Sequence, residues 1–311
     1  VNGMNVLMSF VLALGIKSIG YEGMGFPGIA AGTVAAQYSG LLVAVLLAVF
    51  KYRRNTFSTL SLSDLKGVFK GSETRRFFVM NTDLFVRSLC FIAIYIGFTV
   101  ISARYGDLLL AVSSIMMKLL MIFSYFTDGF AYAGEAMTGK YIGAKDAVML
   151  RQTVKWTFVW SMGIALIFIG IYHFAGVPLL RMMTSDVTVV EASREYLPWL
   201  LLMPVIGCAA FTWDGIYIGA TASKAIRNSM LWAVVGFTAV WFIGIACLNW
   251  LSPGIGLDSA AAGSLPASGS DVSGATDYGR IAMHILMAAY FAHLLARTIY
   301  LSAKYRKVVH I

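Results

Sequence analysis

The apolar residues of this chain fall into eight long runs, separated by short stretches that hold most of the charges. The runs are Met4–Ile16, Gly28–Phe50, Phe77–Ala103, Leu108–Met137, Val154–Ala175, Tyr196–Ala220, Met230–Leu251 and Ile281–Ala303. All but the first have about 20 residues or more, which is the length that an α-helix needs to cross the hydrocarbon core of a bilayer. The pattern predicts an all-α protein, a polytopic transmembrane helical bundle with about seven full spans and one partial span.

The composition separates the chain from soluble proteins. It has 311 residues, of which 59% are hydrophobic and 13% are charged, whereas soluble domains contain about 25% charged residues. A net charge of +9 would suit a nucleic-acid-binding protein if the charges formed one patch, but they are spread among the gaps between apolar runs. Because this distribution is typical of membrane loops, we predict a lipid bilayer as a partner and exclude nucleic acid.

Lysine and arginine are distributed unevenly between the gaps. Of the 24 such residues, sixteen lie in alternate gaps and at the C-terminus, five lie in the intervening gaps, and Arg87, Lys118 and Arg297 lie within the runs. Cytoplasmic loops carry an excess of these residues. The bias predicts a cytoplasmic C-terminus and a long cytoplasmic loop at Lys51–Arg76. The external gap Ser252–Gly279 is rich in Gly, Ala and Ser, so we expect a flexible excursion there.

The first apolar run is too short to cross a bilayer alone, and the chain opens with Val1 rather than Met. We therefore expect that the chain begins inside a helix and that an N-terminal part of the protein is missing.

Ionisable residues within the runs are candidates for function, because a charge at the bilayer centre costs about 2.5–3.5 kcal/mol on insertion scales. Asp83 and Arg87 are four residues apart in the third run. That spacing places them on one helix face, so we predict that they pair with each other. The pair would serve either as a structural ion pair at the membrane entrance or as part of a site.

The fourth run carries three ionisable residues among aromatic ones. Lys118 is deep in the run and is predicted to face the bundle interior and a carboxylate, in a structural or a functional pair. Asp128 has Tyr125 among its aromatic neighbours, which suits an organic cation through charge and cation–π attraction, although such rings also serve packing. Glu135 shares a face with Asp128 but lies near the cytoplasmic edge, where a solvated role is the alternative.

Asp214, in the sixth run, is the leading candidate for a coupling or substrate-contacting carboxylate. It has no basic residue within four positions, and an isolated acid in an apolar helix is suited to take up a proton. A hydrogen bond that ties helices together is the alternative role. In the last run, His284 and His293 are nine apart on opposite helix faces, so we interpret them as hydrogen-bonding residues rather than metal ligands. Arg297, which follows them, is a weaker candidate.

Sequence motifs of hydrolytic and ATP-driven proteins are absent. There is no His-Glu-x-x-His pattern and no Gly-x-Ser-x-Gly elbow, and Gly139–Lys145 lacks the spacing of a phosphate loop. We therefore predict that the protein is not an enzyme, needs no cofactor or metal, and draws its energy from an ion gradient.

Several of these segments together resemble a known transporter family. The motifs are Asn81–Arg87, Phe98-Thr99, Ser102-Ala103, Ser124–Ala131 with Glu135, and Gly139–Gly143, joined by the weaker Gly32–Gln37 and Trp213–Gly215 with Gly219. They are similar to the multidrug and toxic compound extrusion (MATE) family, most of all to its DNA-damage-inducible F branch. The resemblance extends over essentially the whole chain.

The resemblance implies a twelve-helix transporter whose two six-helix lobes enclose a central cleft. Residues 1–50 would then be the end of the N-terminal lobe, 51–76 the cytoplasmic connector and 77–311 the C-terminal lobe, so the missing N-terminal lobe is an expected partner. The branch's coupling aspartate on the first helix falls outside this chain. A glutamate of the sodium-coupled branch would fall near Phe91, where no acid stands. The tenth-helix aspartate corresponds to Asp214, which favours H⁺ over Na⁺ as the coupling ion.

The resemblance therefore predicts secondary active efflux of cationic small molecules in exchange for H⁺ or Na⁺ across the bacterial plasma (inner) membrane. A lipid-linked oligosaccharide flippase of the same superfamily is one alternative. It would want several cationic residues in the cleft, whereas Arg87, Lys118 and Arg297 are balanced by acids. A membrane-embedded enzyme or a non-transporting scaffold is another, and an enzyme would require a catalytic constellation that the sequence lacks.

Overall fold

The computed structural model of the chain describes residues 2–16, 21–52, 71–251 and 269–308. Within these ranges the secondary structure comprises nine helices and one pair of two-residue strands. The elements are α1 (Asn2–Leu14), β1 (Gly15–Ile16), β2 (Tyr21–Glu22), α2 (Phe26–Tyr52), α3 (Ser72–Ala103), α4 (Asp107–Gly143), α5 (Ala147–Met183), α6 (Val187–Arg194), α7 (Leu197–Gly219), α8 (Ser223–Leu251) and α9 (Gly269–Val308).

The chain divides into two compact units, residues 1–75 and 76–311. In the first unit α1 packs against α2, and the turn between them is closed by the antiparallel pairing of β1 with β2. The Thr33 hydroxyl donates a hydrogen bond to the Asn5 side-chain oxygen at 3.2 Å, which links the two helices. The predicted roles of these segments as lobe and connector stay predictions, and residues 53–70 of the proposed connector lie outside the described residues.

Seven of the described helices are long and apolar enough to cross a membrane, namely α2, α3, α4, α5, α7, α8 and α9. The shorter apolar helix α1 corresponds to the predicted partial span. The predicted fold class, an all-α polytopic transmembrane bundle, is therefore confirmed. The protein is a multi-pass membrane protein.

The helices are longer than the apolar runs that predicted them. For example, α5 begins seven residues before Val154, where the Asp146 side chain accepts hydrogen bonds from the Val148 and Met149 amides at 3.1 and 2.9 Å. Such a cap satisfies free amide groups at a helix start, so the helix continues beyond the hydrocarbon core into polar surroundings. The apolar pattern does not detect this polar extension, nor the short helix α6.

The predicted excursion Ser252–Gly279 is wrong in its second part. Residues 252–268 lie outside the described residues, but α9 already begins at Gly269. Polar residues near the start of a membrane helix are compatible with helix where water is available, and composition alone does not separate such a turn from a loop.

The core of the second unit surrounds α7, which is the most buried of the apolar helices. Its neighbours are α4, α5, α8 and α9. Buried residues of α4 such as Leu120 and Phe123 pack with Phe168 of α5, and the Phe123 and Phe168 rings lie 5.5 Å apart in an edge-to-face arrangement. Because α7 is enclosed, the side chains that it carries are held among several helices.

Two glycines let α7 approach α4 closely. A Cβ atom on Gly215 would lie 2.1 Å from the Ala131 carbonyl oxygen, and one on Gly219 would lie 2.3 Å from the Glu135 carbonyl oxygen. No side chain fits at these distances, so glycine at a four-residue interval is required for this helix contact. Asp214, next to Gly215, therefore lies on the part of α7 that is in close contact with α4.

Candidate functional site

The buried Asp214 carboxylate on α7 is held by two arginines from other helices. The Arg87 guanidinium of α3 donates a hydrogen bond to Asp214 Oδ2 at 2.9 Å, and the Arg297 guanidinium of α9 donates to the same oxygen. Asp214 is 6% exposed and Arg297 is 2% exposed, whereas the Arg87 side chain is 31% exposed. Three membrane-spanning helices are therefore joined through one carboxylate oxygen.

A second carboxylate balances the charge of this triad. Asp128 on α4 interacts electrostatically with Asp214, Arg87 and Arg297, but it forms no direct ion pair with any residue in the described part of the chain. Arg87, Asp128, Asp214 and Arg297, which we call the central charge cluster, carry two positive and two negative charges. A set of charges that sums to zero is the form in which ionised groups are tolerated within a membrane protein.

The cluster and its neighbour His293, one turn before Arg297, contain buried polar atoms without a hydrogen-bond partner among the described residues. They are Asp214 Oδ1, Arg297 Nε and His293 Nε2. The other His293 ring nitrogen hydrogen-bonds the Tyr290 carbonyl, and the Arg297 guanidinium lies 5.8 Å from the centroid of the Phe211 ring. Because an unsatisfied buried polar group is costly, such atoms mark positions where a water molecule or another hydrogen-bonding group is favoured.

The predicted pair between Asp83 and Arg87 is wrong. Asp83 is buried, and its carboxylate accepts hydrogen bonds from Arg227 Nη1 at 2.6 Å and from the Ser223 hydroxyl at 2.8 Å, both on α8. Arg87 instead pairs with Asp214. Two residues four apart on a helix do face the same side, but neighbouring helices offered each of them a partner at hydrogen-bond distance. Arg227, assigned to a cytoplasmic loop from the sequence, was missed because its partner is 144 residues away.

The Lys118 side chain is exposed in this chain, and it forms no ion pair within the described ranges. The predicted pairing with a carboxylate is therefore not found among these residues, and the predicted interior position stays a prediction for the complete protein. Lys118, Tyr125 and Tyr132 recur at seven-residue intervals and Asp128 falls between them, so all four lie on one side of α4. The Tyr125 and Tyr132 side chains are 65% and 67% exposed. We call this surface, defined by Lys118, Tyr125, Asp128 and Tyr132, the polar stripe of α4.

The polar environment of Asp214 differs from the expected one. Its sequence neighbourhood contains no base, but Arg87 and Arg297 approach from 127 and 83 residues away. Asp214 is thus already compensated, while Asp128, half-buried on the polar stripe, is the carboxylate of the cluster without a direct cationic partner. Glu135 is likewise half-buried and makes no ion pair with a described residue.

A separate set of polar residues lies around the start of α7 and in the first half of α9. The Arg280 guanidinium donates to Glu195 Oε2 at 2.9–3.0 Å, His284 Nε2 lies 3.2 Å from Glu195 Oε1, and the Trp199 indole donates to His284 Nδ1 at 3.0 Å. Glu195, Trp199, Arg280 and His284 form what we call the helix-end network. The interpretation of His284 and His293 as hydrogen-bonding residues is confirmed.

The pKa of Glu195 reflects two opposing causes. Partial burial raises the pKa of this carboxyl group, but hydrogen bonds from His284 and Arg280 and the positive charge of Arg280 together outweigh burial and hold the pKa below its ordinary value. The pKa of the adjacent Tyr196 hydroxyl is raised to about 12, by burial first and then by the Glu195 charge. Glu195 is therefore ionised near neutral pH, as its two partners require.

Among the described residues, no group of three or more His, Cys, Asp or Glu side chains is placed to hold a metal ion. The chemistry that the arrangement allows is the binding and release of a cation or a proton. The central charge cluster provides a half-buried carboxylate, Asp128, which lies beside tyrosines and close to the charges of Asp214, Arg87 and Arg297.

Comparison with known proteins identifies relatives of this chain. A family model described as MatE matches residues 84–245, just over half of the chain. The chain is 32% identical to DNA damage-inducible protein F of Escherichia coli over 80% of this chain and 51% of that protein. It is 25% identical to the probable multidrug resistance protein NorM of Photorhabdus laumondii over 82% of this chain and 54% of that protein.

A plant protein, DETOXIFICATION 42 of Arabidopsis thaliana, is 25% identical over 49% of this chain and 28% of its own length. No solved structure matches the chain. The chain spans about half the length of the two bacterial relatives. The family that the sequence motifs predicted is confirmed, and the chain belongs to the MatE (multidrug and toxic compound extrusion) family.

Proposed function

We propose that this chain is part of a secondary active efflux transporter that exports cationic small molecules in exchange for H⁺ across the bacterial plasma membrane. Family membership supports a transporter rather than an enzyme, and one relative is named a probable multidrug resistance protein. The observation that carries the proposal is the central charge cluster, in which a carboxylate without a direct cationic partner lies within a membrane-spanning bundle.

In this proposal the polar stripe of α4 lines the substrate pathway of the complete protein. A lysine and an aspartate on the lipid-facing side of a membrane helix would be costly, which favours a water-filled or protein-lined environment for this surface. Tyr125 and Tyr132 beside Asp128 provide ring faces and a negative charge for an organic cation. The stripe thereby combines the two kinds of contact that bind such molecules.

Asp128 is the proposed exchange site, in place of Asp214. An organic cation and a proton each neutralise one carboxylate, so their binding at Asp128 is mutually exclusive, which is the requirement for antiport. Asp214 instead anchors Arg87 and Arg297 through direct ion pairs. Na⁺ as the coupling ion would need several oxygen ligands. The cluster has two carboxylates, Asp128 and Asp214, and Asp214 is already engaged by Arg87 and Arg297, which favours H⁺.

The experiment uses the complete protein in everted vesicles that accumulate a fluorescent organic cation. Asp128→Asn should reduce ΔpH-driven dye exchange at least tenfold while protein levels stay unchanged. Glu135→Gln, which changes another half-buried acid of α4, is the matched control and should retain exchange. Unaltered exchange in Asp128→Asn would refute the assignment, and exchange driven by a Na⁺ gradient alone would replace H⁺ by Na⁺.

The flippase alternative predicts a different substrate. A lipid-linked diphosphate needs free cationic groups, but Arg87 and Arg297 are both engaged by Asp214, which leaves Lys118 alone on the polar stripe. The lack of free arginines therefore favours a cationic substrate over a lipid-linked diphosphate.

We propose the orientation with a cytoplasmic C-terminus on the distribution of lysine and arginine. A cysteine at Ser185, in a variant without the native cysteines, should then react with an impermeant thiol reagent in intact cells. Reaction only after permeabilisation would reverse the orientation.

A further inference from the structure

A groove opens between α4 and α5 in the second unit. It has a volume of about 330 Å³ and is lined mostly by apolar and aromatic side chains, among them Phe130, Tyr141, Trp156 and Trp160. The two tryptophans are 55% and 61% exposed. This volume is at the lower end of the range for small-molecule sites, which suits part of one flexible chain better than a bulky ligand.

The groove follows the two helices lengthwise. Its α4 wall runs from Phe130 to Tyr141, which is about 16 Å along the helix axis. The helices are in close contact beside it, because a Cβ atom on Gly134 would lie 2.9 Å from Cγ2 of Thr157, which lines the groove. The length and the apolar lining fit an extended hydrocarbon chain.

One end of the groove carries unpaired positive charge. Lys140, beside the groove-lining Tyr141, and Lys145, in the turn between α4 and α5, are both exposed, and neither forms an ion pair within the described part of the chain. The Lys140 ammonium lies 5.6 Å from the centroid of the Tyr141 ring, which lines the groove. The only acid between residues 136 and 155 is Asp146, whose carboxylate is engaged in capping α5.

We propose that this groove binds one anionic membrane phospholipid, with an acyl chain between α4 and α5 and the phosphate group at the basic end. Tryptophan and tyrosine rings favour the level of lipid headgroups because they combine an apolar body with a polar edge. Clusters of lysine and arginine between membrane helices attract acidic headgroups. The basic residues and the apolar lining thus both favour an anionic phospholipid. A zwitterionic lipid would make the apolar contacts with the groove but would lack the attraction of a net negative charge to the basic end.

The test is native mass spectrometry of the complete protein, titrated with phosphatidylglycerol or with phosphatidylcholine of identical chains. The wild-type protein should retain phosphatidylglycerol in preference. Lys140→Gln with Lys145→Gln should lower that preference about 25-fold, since each basic residue near an anionic headgroup contributes about fivefold. The matched control, Lys224→Gln with Arg306→Gln, removes two exposed cations elsewhere and should leave the preference unchanged.

A second pair of variants tests the acyl chain. Ala133→Leu adds bulk to the groove lining, and Ala136→Leu adds the same bulk on the same helix outside it. Only Ala133→Leu should reduce retention of the first bound phosphatidylglycerol. Equal retention of the two lipids, or an equal effect of the two charge pairs, would overturn the proposal. Equal behaviour of the two leucine variants would also overturn it and leave the groove to detergent or to another part of the protein.

Discussion

The central charge cluster and the helix-end network use the same chemical groups in different surroundings. Each joins a carboxylate to arginine, with histidine nearby, and each ties α7 to α9. In the cluster the Asp214 and Arg297 side chains are 8% and 2% exposed, whereas Glu195 and Arg280 in the network are 35% and 52% exposed. Burial is the principal difference between them.

An arginine–carboxylate ion pair therefore contributes differently to stability in the two regions. Water near Glu195 hydrates whichever ion loses its partner, so the pair is replaceable. No such substitute is available to Arg297, and removal of Asp214 would leave two guanidinium groups facing each other. The buried pair of Asp83 with Arg227 falls between these limits, with side chains that are 3% and 34% exposed.

The largest effect is expected for Asp214→Asn. Removal of one partner of a buried ion pair destabilises a protein by about 3–5 kcal/mol, so the melting temperature in detergent should fall sharply. Adding Arg297→Gln to Asp214→Asn removes a stranded charge and should recover part of the loss, because residues in contact are energetically coupled. Strict additivity of the two changes in a double-mutant cycle would show that burial does not distinguish the two regions.

An intermediate effect is expected for Asp83→Asn. The change removes the charge that faces Arg227, but Arg227 is a third exposed and can be hydrated. We expect a loss of about 1–3 kcal/mol, the typical cost of leaving one polar group unsatisfied. Thermal unfolding measures it, with the exposed Asp107→Asn on the neighbouring helix as the control that should be close to wild type. If Asp83→Asn lowered the free energy of unfolding as much as Asp214→Asn, the partial exposure of Arg227 would have no stabilising effect on the unpaired charge.

The smallest effect is expected for Glu195→Gln, about 0–1 kcal/mol, because exposed ion pairs are screened by water. Because its folded-state pKa is lowered, Glu195 stabilises the protein above its ordinary pKa of about 4.3. That contribution is lost as the pH falls through the lower, folded-state pKa. The difference in melting temperature between wild type and variant should therefore be present at pH 7 and shrink towards pH 3. A difference that grows on acidification would contradict the assignment.

Particular residues show how far the sequence could predict the site. Asp83, Arg87, Asp128, Asp214 and Arg297 were all selected because they interrupt apolar runs, and four of the five belong to the central charge cluster. Their pairing was predicted from local spacing, which suggested Asp83 with Arg87 and no partner for Asp214. Both inferences were wrong, since in a bundle of long helices the nearest charge in space belongs to another helix.

The amino-acid sequence was enough to predict a membrane-spanning helical bundle, because the bilayer imposes a length and a polarity on every span. Its motifs were enough to predict the family. The exposure of Lys118, the joining of Arg87 to Arg297 by Asp214, and the lack of a direct partner for Asp128 among the described residues became known from the tertiary structure. These outcomes depend on how helices are rotated and how closely they approach, as at Gly215 and Gly219. Helix rotation is set by packing over the whole unit, and no local run of residues contains that information.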